Sequence, residues 1–429
     1  MLNTKRGYYT FLVILYMFVF QFAIMQYLTV FKYLDELYAV LSIPLFFWAY
    51  RTRLKDLFSN SIKKKVGNIQ HIRQLLKTTK IKLLIAISIF VLIGLIGNIV
   101  YGYQGFIPIA IDVLLNVKFV LGIFTTYYIF KSINIMDYKK EISKHVHIII
   151  MVLVVLLLVD IVFEVFPCYE IRYGLRSKQL YYTHPTELAS VSFFLLLINV
   201  FFSEKYDKKE IIFIILASIL VASSLRLKAI AIVVVFLVIW FWIGLMKKQL
   251  KPWHILVFAP VAIYIAWDQV YFYFFSDVSR ETVRGALSFT SIEILKDYFP
   301  IGTGLGTFAS APSGDYYSKV YEIYGISDIW GLTPEWPEFV SDCFWPMILG
   351  QTGFLGLVTY VYILVVLFKE LNKSFGTNKR VYLAGLGALV YLVISSVAES
   401  AFVNPLALPL SVVIGLCFIY QNKQSQEMM

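Results

Sequence analysis

Apolar runs of about 20 residues, the length that crosses a bilayer, recur along this chain and are separated by short polar connections. They predict twelve transmembrane helices, at roughly 9–27, 35–50, 82–103, 108–130, 146–166, 187–203, 210–224, 226–245, 254–275, 342–368, 381–399 and 405–420. One interval breaks the pattern. From Ser276 to Val340, about 65 residues hold helical periodicity but no membrane-length apolar run, and a loop that long among short ones is usually functional. No repeat of 20 to 50 residues and no Pro-Gly-rich linker interrupts the chain. The predicted fold class is therefore an all-α integral membrane protein. It forms a single polytopic domain over 1–429, with one large loop at 276–340 that contains short helices.

Composition agrees. Of 429 residues 59% are hydrophobic and 15% charged, against about half and a quarter in soluble domains. A net charge of +11 would suit nucleic acid, yet the basic residues follow topology. With a cytoplasmic N-terminus, 27 of the 38 Lys and Arg lie on inner segments or helix ends, most densely from Arg51 to Lys82. The positive-inside rule then places both termini in the cytoplasm and the 276–340 loop outside. The basic block reads as an anchor touching anionic headgroups, so the bilayer is an expected partner and nucleic acid is not. The N-terminus has no A-x-A cleavage site, and its first apolar run reads as a retained helix. Three cysteines define neither a disulfide framework nor a metal site. Cys168 and Cys343 could share a face and pair, or stay isolated thiols.

The other eleven basic residues run against the topological bias and are more informative. Lys118 lies two turns inside the fourth predicted span, where a charge costs about 2.5–3.5 kcal/mol. It either pairs with a carboxylate on another helix or lines a polar cavity. The 167–187 connection offers Arg172, Arg176 and Lys178, then His184 beside Pro185, and Glu187 at the mouth of the next span. Arg226 and Lys228 mark the turn between the seventh and eighth spans. Two residues apart on a helix they point to nearly opposite sides, so only one is expected to face a given site. Arg280 and Arg284 open the long loop, where Ser279 or Asp277 could cap a helix. At i, i+4 they share one face, which also suits arginines snorkelling at a membrane surface. Farther on, Gly302, Gly304 and Gly306 read either as a phosphate cradle or, with better reason, as a closely packed turn.

Within the loop, acidic residues outnumber basic ones nine to four. Arginines on such a background suggest a particular anion. If the clusters around Arg176, Arg226 and Arg284 converge, they form a site of diphosphate size at the outer leaflet. Guanidinium forks bind phosphate oxygens through charge-assisted bonds. A lipid diphosphate carries both a buried tail and a head at that depth, and lipid-diphosphate sugars are activated glycosyl donors. Positioned arginines stabilise the departing diphosphate, and a base is needed for the attacking hydroxyl. Asp342, His184, Glu187 and Glu399 are the candidates. No metal spacing is visible, and no cofactor is expected.

Four segments also carry a resemblance. R-G-A-L-S-F from Arg284, F-P-I-G-T-G-L-G-T-F-A-S at 299–310, Y-Y-S-K-V-Y-E-I-Y-G at 316–325 and S-D-C-F-W-P-M-I-L-G-Q-T-G-F-L-G at 341–356 resemble Wzy-type polysaccharide polymerases. L-R-S-K-Q-L-Y-Y-T-H-P-T-E-L-A at 175–189 and S-S-L-R-L-K-A-I support it. These polymerases stand with the O-antigen ligases in a superfamily of multi-pass glycosyltransferases. The resemblance implies a GT-C-like fold. It also implies metal-independent, inverting polymerisation of undecaprenyl-diphosphate-linked oligosaccharide repeat units on the outer face of a bacterial plasma membrane. A flippase and a chain-length regulator would be partners. The diphosphate-holding arginines would fall on Arg226 and Arg284, with Arg172 or Arg176, while Arg280, Lys228, Lys118 and Glu399 complete the expected substrate contacts. Ligases typically carry His-Asn where this chain has Ser341-Asp342, which disfavours ligation to another acceptor. A lipid-linked oligosaccharide flippase should show related halves and midplane sites, and the sequence shows neither. A purely structural scaffold would leave the scattered arginines unexplained.

Overall fold

The computed structural model describes residues 2–48, 78–203, 208–248, 271–273 and 275–427. These residues are mostly helical, with one two-stranded hairpin. Seven stretches are long and apolar enough to cross a membrane: Lys5–Met25, Thr79–Tyr101, Phe106–Phe130, Ile135–Phe163, Pro185–Phe202, Leu227–Gly244 and Phe344–Asn372. By length and composition this is a multi-pass membrane protein. Of the other five predicted spans, four do not reach that standard within the described residues. The 35–50 run is a short helix, Leu34–Val40, that ends at Leu41 before a second helical stretch over 42–48. Those at 210–224, 381–399 and 405–420 fold as Lys208–Ala222, Lys379–Ser395 and the apolar part of Ala407–Glu427. The 254–275 span and the basic 51–77 block lie almost wholly outside the described residues.

In chain order the helices are α1 (Leu2–Met25), α2 (Leu34–Val40), α3 (Thr79–Tyr101), α4 (Phe106–Phe130), α5 (Lys139–Phe163), α6 (Pro185–Phe202), α7 (Lys208–Ala222) and α8 (Leu227–Trp240). Farther along the chain come α9 (Val283–Asp297), the short α10 (Ala311–Asp315) and α11 (Lys319–Ile323), then α12 (Phe344–Asn372), α13 (Lys379–Ser395) and α14 (Ala407–Glu427). Helix α6 is apolar on every side and buried along nearly its whole length, so it forms the centre of the bundle against α5, α7 and α13. Helix α4 packs on α2 and α14, and α3 packs on α12.

The 276–340 segment is folded tightly. Its helix α9 lies along α12. Between α9 and α10 the glycine turn inserts into a kink of α12, where Gly353 adopts φ 60° and ψ −156°. A kink frees helix carbonyls that must find other donors. The turn supplies them: Thr303 N–H donates to Gly350 O at 2.9 Å and Gly304 N–H to Gln351 O at 2.9 Å. Leu305 N–H donates to Asn98 Oδ1 and Gly306 N–H to Asp112 Oδ2, both at 2.9 Å. These four amides are thus committed to protein acceptors, and the phosphate-cradle reading of Gly302, Gly304 and Gly306 falls away. The turn is the closely packed kind, with Gly304 at φ 106° against the backbone of Asn98. It fixes α9 against α12, and so fixes Arg284 near the start of one helix relative to Asp342 just before the other.

Lys118 takes the first of its two expected forms. Its ammonium lies 2.6 Å from Asp35 and 3.1 Å from Glu36, both on α2, with Lys118 and Asp35 buried. It is a helix-to-helix ion pair, and the substrate role expected of it is not supported by this placement. All three cysteines are free.

Candidate functional site

One end of the bundle gathers charge from five separate stretches of chain. The first is the connection between α5 and α6. There Tyr173 and Gly174 take positive φ and turn a hairpin in which β1 (Ile171–Arg172) pairs with β2 (Leu175–Arg176). Just before it, Glu170 lies 2.9 Å from Arg172 and 2.7 Å from Arg226. At the far end of this connection His184 forms the N-cap of α6, its Nδ1 accepting from Thr186 N–H at 3.1 Å.

The second stretch is the α7–α8 turn. Arg226 is the N-cap of α8, with φ −85° and ψ 113°. Its Nη2 lies 2.9 Å from His184 Nε2, and the guanidinium sits 5.5 Å above the Tyr169 ring. Lys228 pairs with Glu399 at 2.6 Å. Arg226 and Lys228 were expected to point apart, but both enter the site. The helical rotation rule fails because Arg226 is extended, outside the helix.

The third and fourth stretches are α9 and the entry to α12. Arg284 lies 3.1 Å from Asp342, with its guanidinium 5.2 Å above the Tyr273 ring. Asp342 does not cap α12, whose N-cap is Cys343 without a side-chain bond. Glu399, in the α13–α14 connection, is the fifth, tied alongside by Ser400 Oγ donating to Ser341 O at 2.7 Å.

Charge couples these stretches. The Arg226 guanidinium is held below its ordinary pKa by burial first, then by Arg172, with Arg284 adding to the effect. Burial raises the Asp342 carboxyl, and Glu399 adds to that, while Arg284 and Lys228 oppose. The His184 imidazole is pushed down to about 4 by burial first and by Arg226, Lys228 and Arg172, against Glu170. Four cations (Arg172, Arg226, Lys228, Arg284) thus face three carboxylates (Glu170, Asp342, Glu399) around a neutral imidazole. Arg226 Nε and Arg284 Nε are buried with no acceptor, so both forks keep unused donors. Such a set can hold an anion by exchanging internal carboxylates for its oxygens.

Other expected residues fall elsewhere. Arg176, named with Arg226 and Arg284 for the anion, instead pairs with Glu164 and donates to Phe166 O at 3.3 Å. The hairpin register explains it, since Arg172 lies opposite Leu175 and Arg176 opposite Ile171. Arg280 is 69% exposed and pairs with Glu293 at 3.2 Å. It was expected on one face with Arg284, but a 3-10 turn at Ser279–Glu281 and the extended Thr282 separate them. Thr282, not Ser279 or Asp277, caps α9. Glu187, a candidate base, accepts from Thr183 N–H at 3.0 Å and Thr183 Oγ1 at 2.7 Å, closing the first turn of α6.

Glu170, Tyr169 and Tyr273 also belong to the cluster, although no motif in the sequence singles them out. Glu170 was visible as the acid inside Y-E-I-R, two positions from Arg172. Nothing local marks Tyr273, which reaches Arg284 only through the tertiary fold. Among the described residues no group of His, Cys, Asp and Glu is arranged to hold a metal ion. Compared with known proteins, the chain matches no family model and no curated protein.

Proposed function

We propose that this protein is a glycosyltransferase of the polymerase kind, which joins undecaprenyl-diphosphate-linked oligosaccharide repeat units into a surface polysaccharide. The proposal includes twelve spans, cytoplasmic termini and a site on the outer face of a bacterial plasma membrane. The observation that carries it is one connected charge cluster, in which Arg172 and Arg226 meet at Glu170, Arg226 feels Arg284, and Arg284 and Lys228 face Asp342. Arg226 and Arg284 hold the donor diphosphate and stabilise charge as the glycosyl bond breaks. Arg172 and Lys228 add positive charge, and Asp342 receives the proton of the attacking hydroxyl. Its raised pKa suits a base better than an ordinary surface carboxylate, and Arg284 at 3.1 Å orients it. The resemblance of 284–356 to Wzy-type polymerases supports the same assignment. No cofactor enters this scheme.

Purified protein given a lipid-linked repeat unit should yield a ladder of products. A single transferred chain would favour ligation, and transport without bond formation would favour a flippase. Orientation has its own test in a cysteine-free background. Glu322→Cys, exposed in the long loop, should react with an impermeant thiol reagent on intact cells, whereas Ser132→Cys, exposed between α4 and α5, should not. The reverse pattern would put the arginine cluster on the wrong side for this chemistry.

A further inference from the structure

His184 was a candidate base, and the geometry around its ring points to a different part. Pro185 at the first position of α6 has no N–H, which makes Thr186 the first amide of the helix able to donate. That amide donates to His184 Nδ1 at 3.1 Å. A neutral imidazole has one lone pair and one N–H on its two nitrogens. With the lone pair engaged at Nδ1, the proton is on Nε2. Nε2 faces Arg226 Nη2 at 2.9 Å, and a guanidinium has only donors to offer. Two donors therefore meet head-on.

The other tautomer does not remove the conflict. It sets Nδ1–H against Thr186 N–H, at a helix start where the dipole already favours negative charge. The two clashes differ in how readily they yield. The cap is backbone, held by α6. The guanidinium is a long side chain with other partners in reach, Glu170 at 2.7 Å and the Tyr169 face at 5.5 Å. The ring itself is fixed by Tyr169, whose ring meets it edge-on at 4.5 Å. The guanidinium is the group that moves, and Nε2–H is then left pointing into the cluster.

We propose that His184 is a hydrogen-bond donor to a bound diphosphate oxygen, acting through Nε2–H beside the Arg226 fork, and is not a base. One oxyanion oxygen set between them accepts from both and resolves the donor–donor contact. Glu170 holds part of that place now, bridging Arg172 and Arg226 with its carboxylate. It must give way when diphosphate enters. A ring that stays neutral, with its lone pair committed to the cap, has no acceptor left for a substrate proton. This inference rests on the anion-binding part of the proposed function, not on polymerisation.

Ring-nitrogen NMR of 15N-histidine protein in nanodiscs tests it, with the His184 signals assigned by their loss in His184→Asn. At pH 7 the wild type should show a protonated Nε2 and an unprotonated Nδ1, and inorganic diphosphate should shift the Nε2–H resonance. In His184→Asn the side-chain oxygen still caps Thr186, but the shorter amide does not place a donor where Nε2–H stood. Diphosphate affinity should fall about tenfold, the scale of one hydrogen bond to a charged group. An Nδ1–H tautomer, no shift with diphosphate, or unchanged affinity in His184→Asn each overturn the proposal. His184→Gln removes the same signals, so a poorly folded His184→Asn leaves the assignment, and with it the wild-type tautomer test, in place. Titration with undecaprenyl diphosphate in detergent separates a lipid-borne headgroup from the free anion. Diphosphate binding with the expected tautomer but no polymer from lipid-linked repeat units would sink the polymerase reading and leave this one standing.

Discussion

Two polar regions of this protein are handled in opposite ways. The glycine turn at 300–309 carries its polarity on the backbone, and its amides go to fixed acceptors on α3, α4 and α12. Nothing there can be exchanged without breaking the packing. The arginine cluster carries its polarity on long side chains paired with other long side chains, and two guanidinium Nε atoms lack acceptors. Its pairs can be traded for those of a ligand. Both regions are rich in donors that a phosphate could use, but only the second has donors to release. Phosphate-like composition is a weak guide, and what decides is whether the donors already have partners they cannot leave.

The sharpest way to break this contrast is to disturb the turn. A Cβ on Gly304 would lie 2.5 Å from Asn98 Nδ2 and 2.6 Å from Asn98 N, at φ 106°. Gly304→Ala should cost about 4 kcal/mol, the level reached only by severe core clashes, and monodisperse protein should be lost on size-exclusion chromatography. Gly325, at φ 63° with open space around it, is the control; its alanine variant should cost only about 1 kcal/mol of strain. Equal behaviour would mean that packing at the turn is not what holds it.

Asp342→Asn probes the cluster instead. The amide oxygen can still accept from Arg284, so the fold should survive, but no proton can be taken up. Polymer formation should drop about 10²–10⁴-fold, the range for loss of a general base. The pH profile gives the sign. A carboxyl raised above its ordinary 3.8 is ionised only above that raised pKa, so wild-type activity should fall as pH drops through it. The residual activity of Asp342→Asn should lack that acid limb. An unchanged rate or an unchanged limb would remove Asp342 as the base.

Arg284→Lys keeps the charge and loses the fork. We expect about a 10²-fold loss of rate at normal abundance, measured with lipid-linked repeat units. Arg280→Lys should change the rate by no more than about threefold, because its exposed pair with Glu293 is weak. Similar losses at both positions would show that the cluster does not extend as the ion pairs indicate.

Membrane class followed from the sequence alone, because apolar length and charge are properties of composition that no tertiary contact alters. The sequence also marked 276–340 as lacking a membrane-length apolar run, and Arg226 and Arg284 as charges placed against the topological bias. Their partners did not follow. Arg226 and Lys228 enter one site because the first sits outside its helix, and Arg280 and Arg284 part because Thr282 is extended between them. Asp342 meets Arg284 across 58 residues and Lys118 meets Asp35 across 83. The sequence carries each charge and its neighbours along the chain. Which carboxylate ends beside which cation is decided by how α9 seats on α12 and α2 on α4, and that packing depends on side-chain shape summed over whole helices.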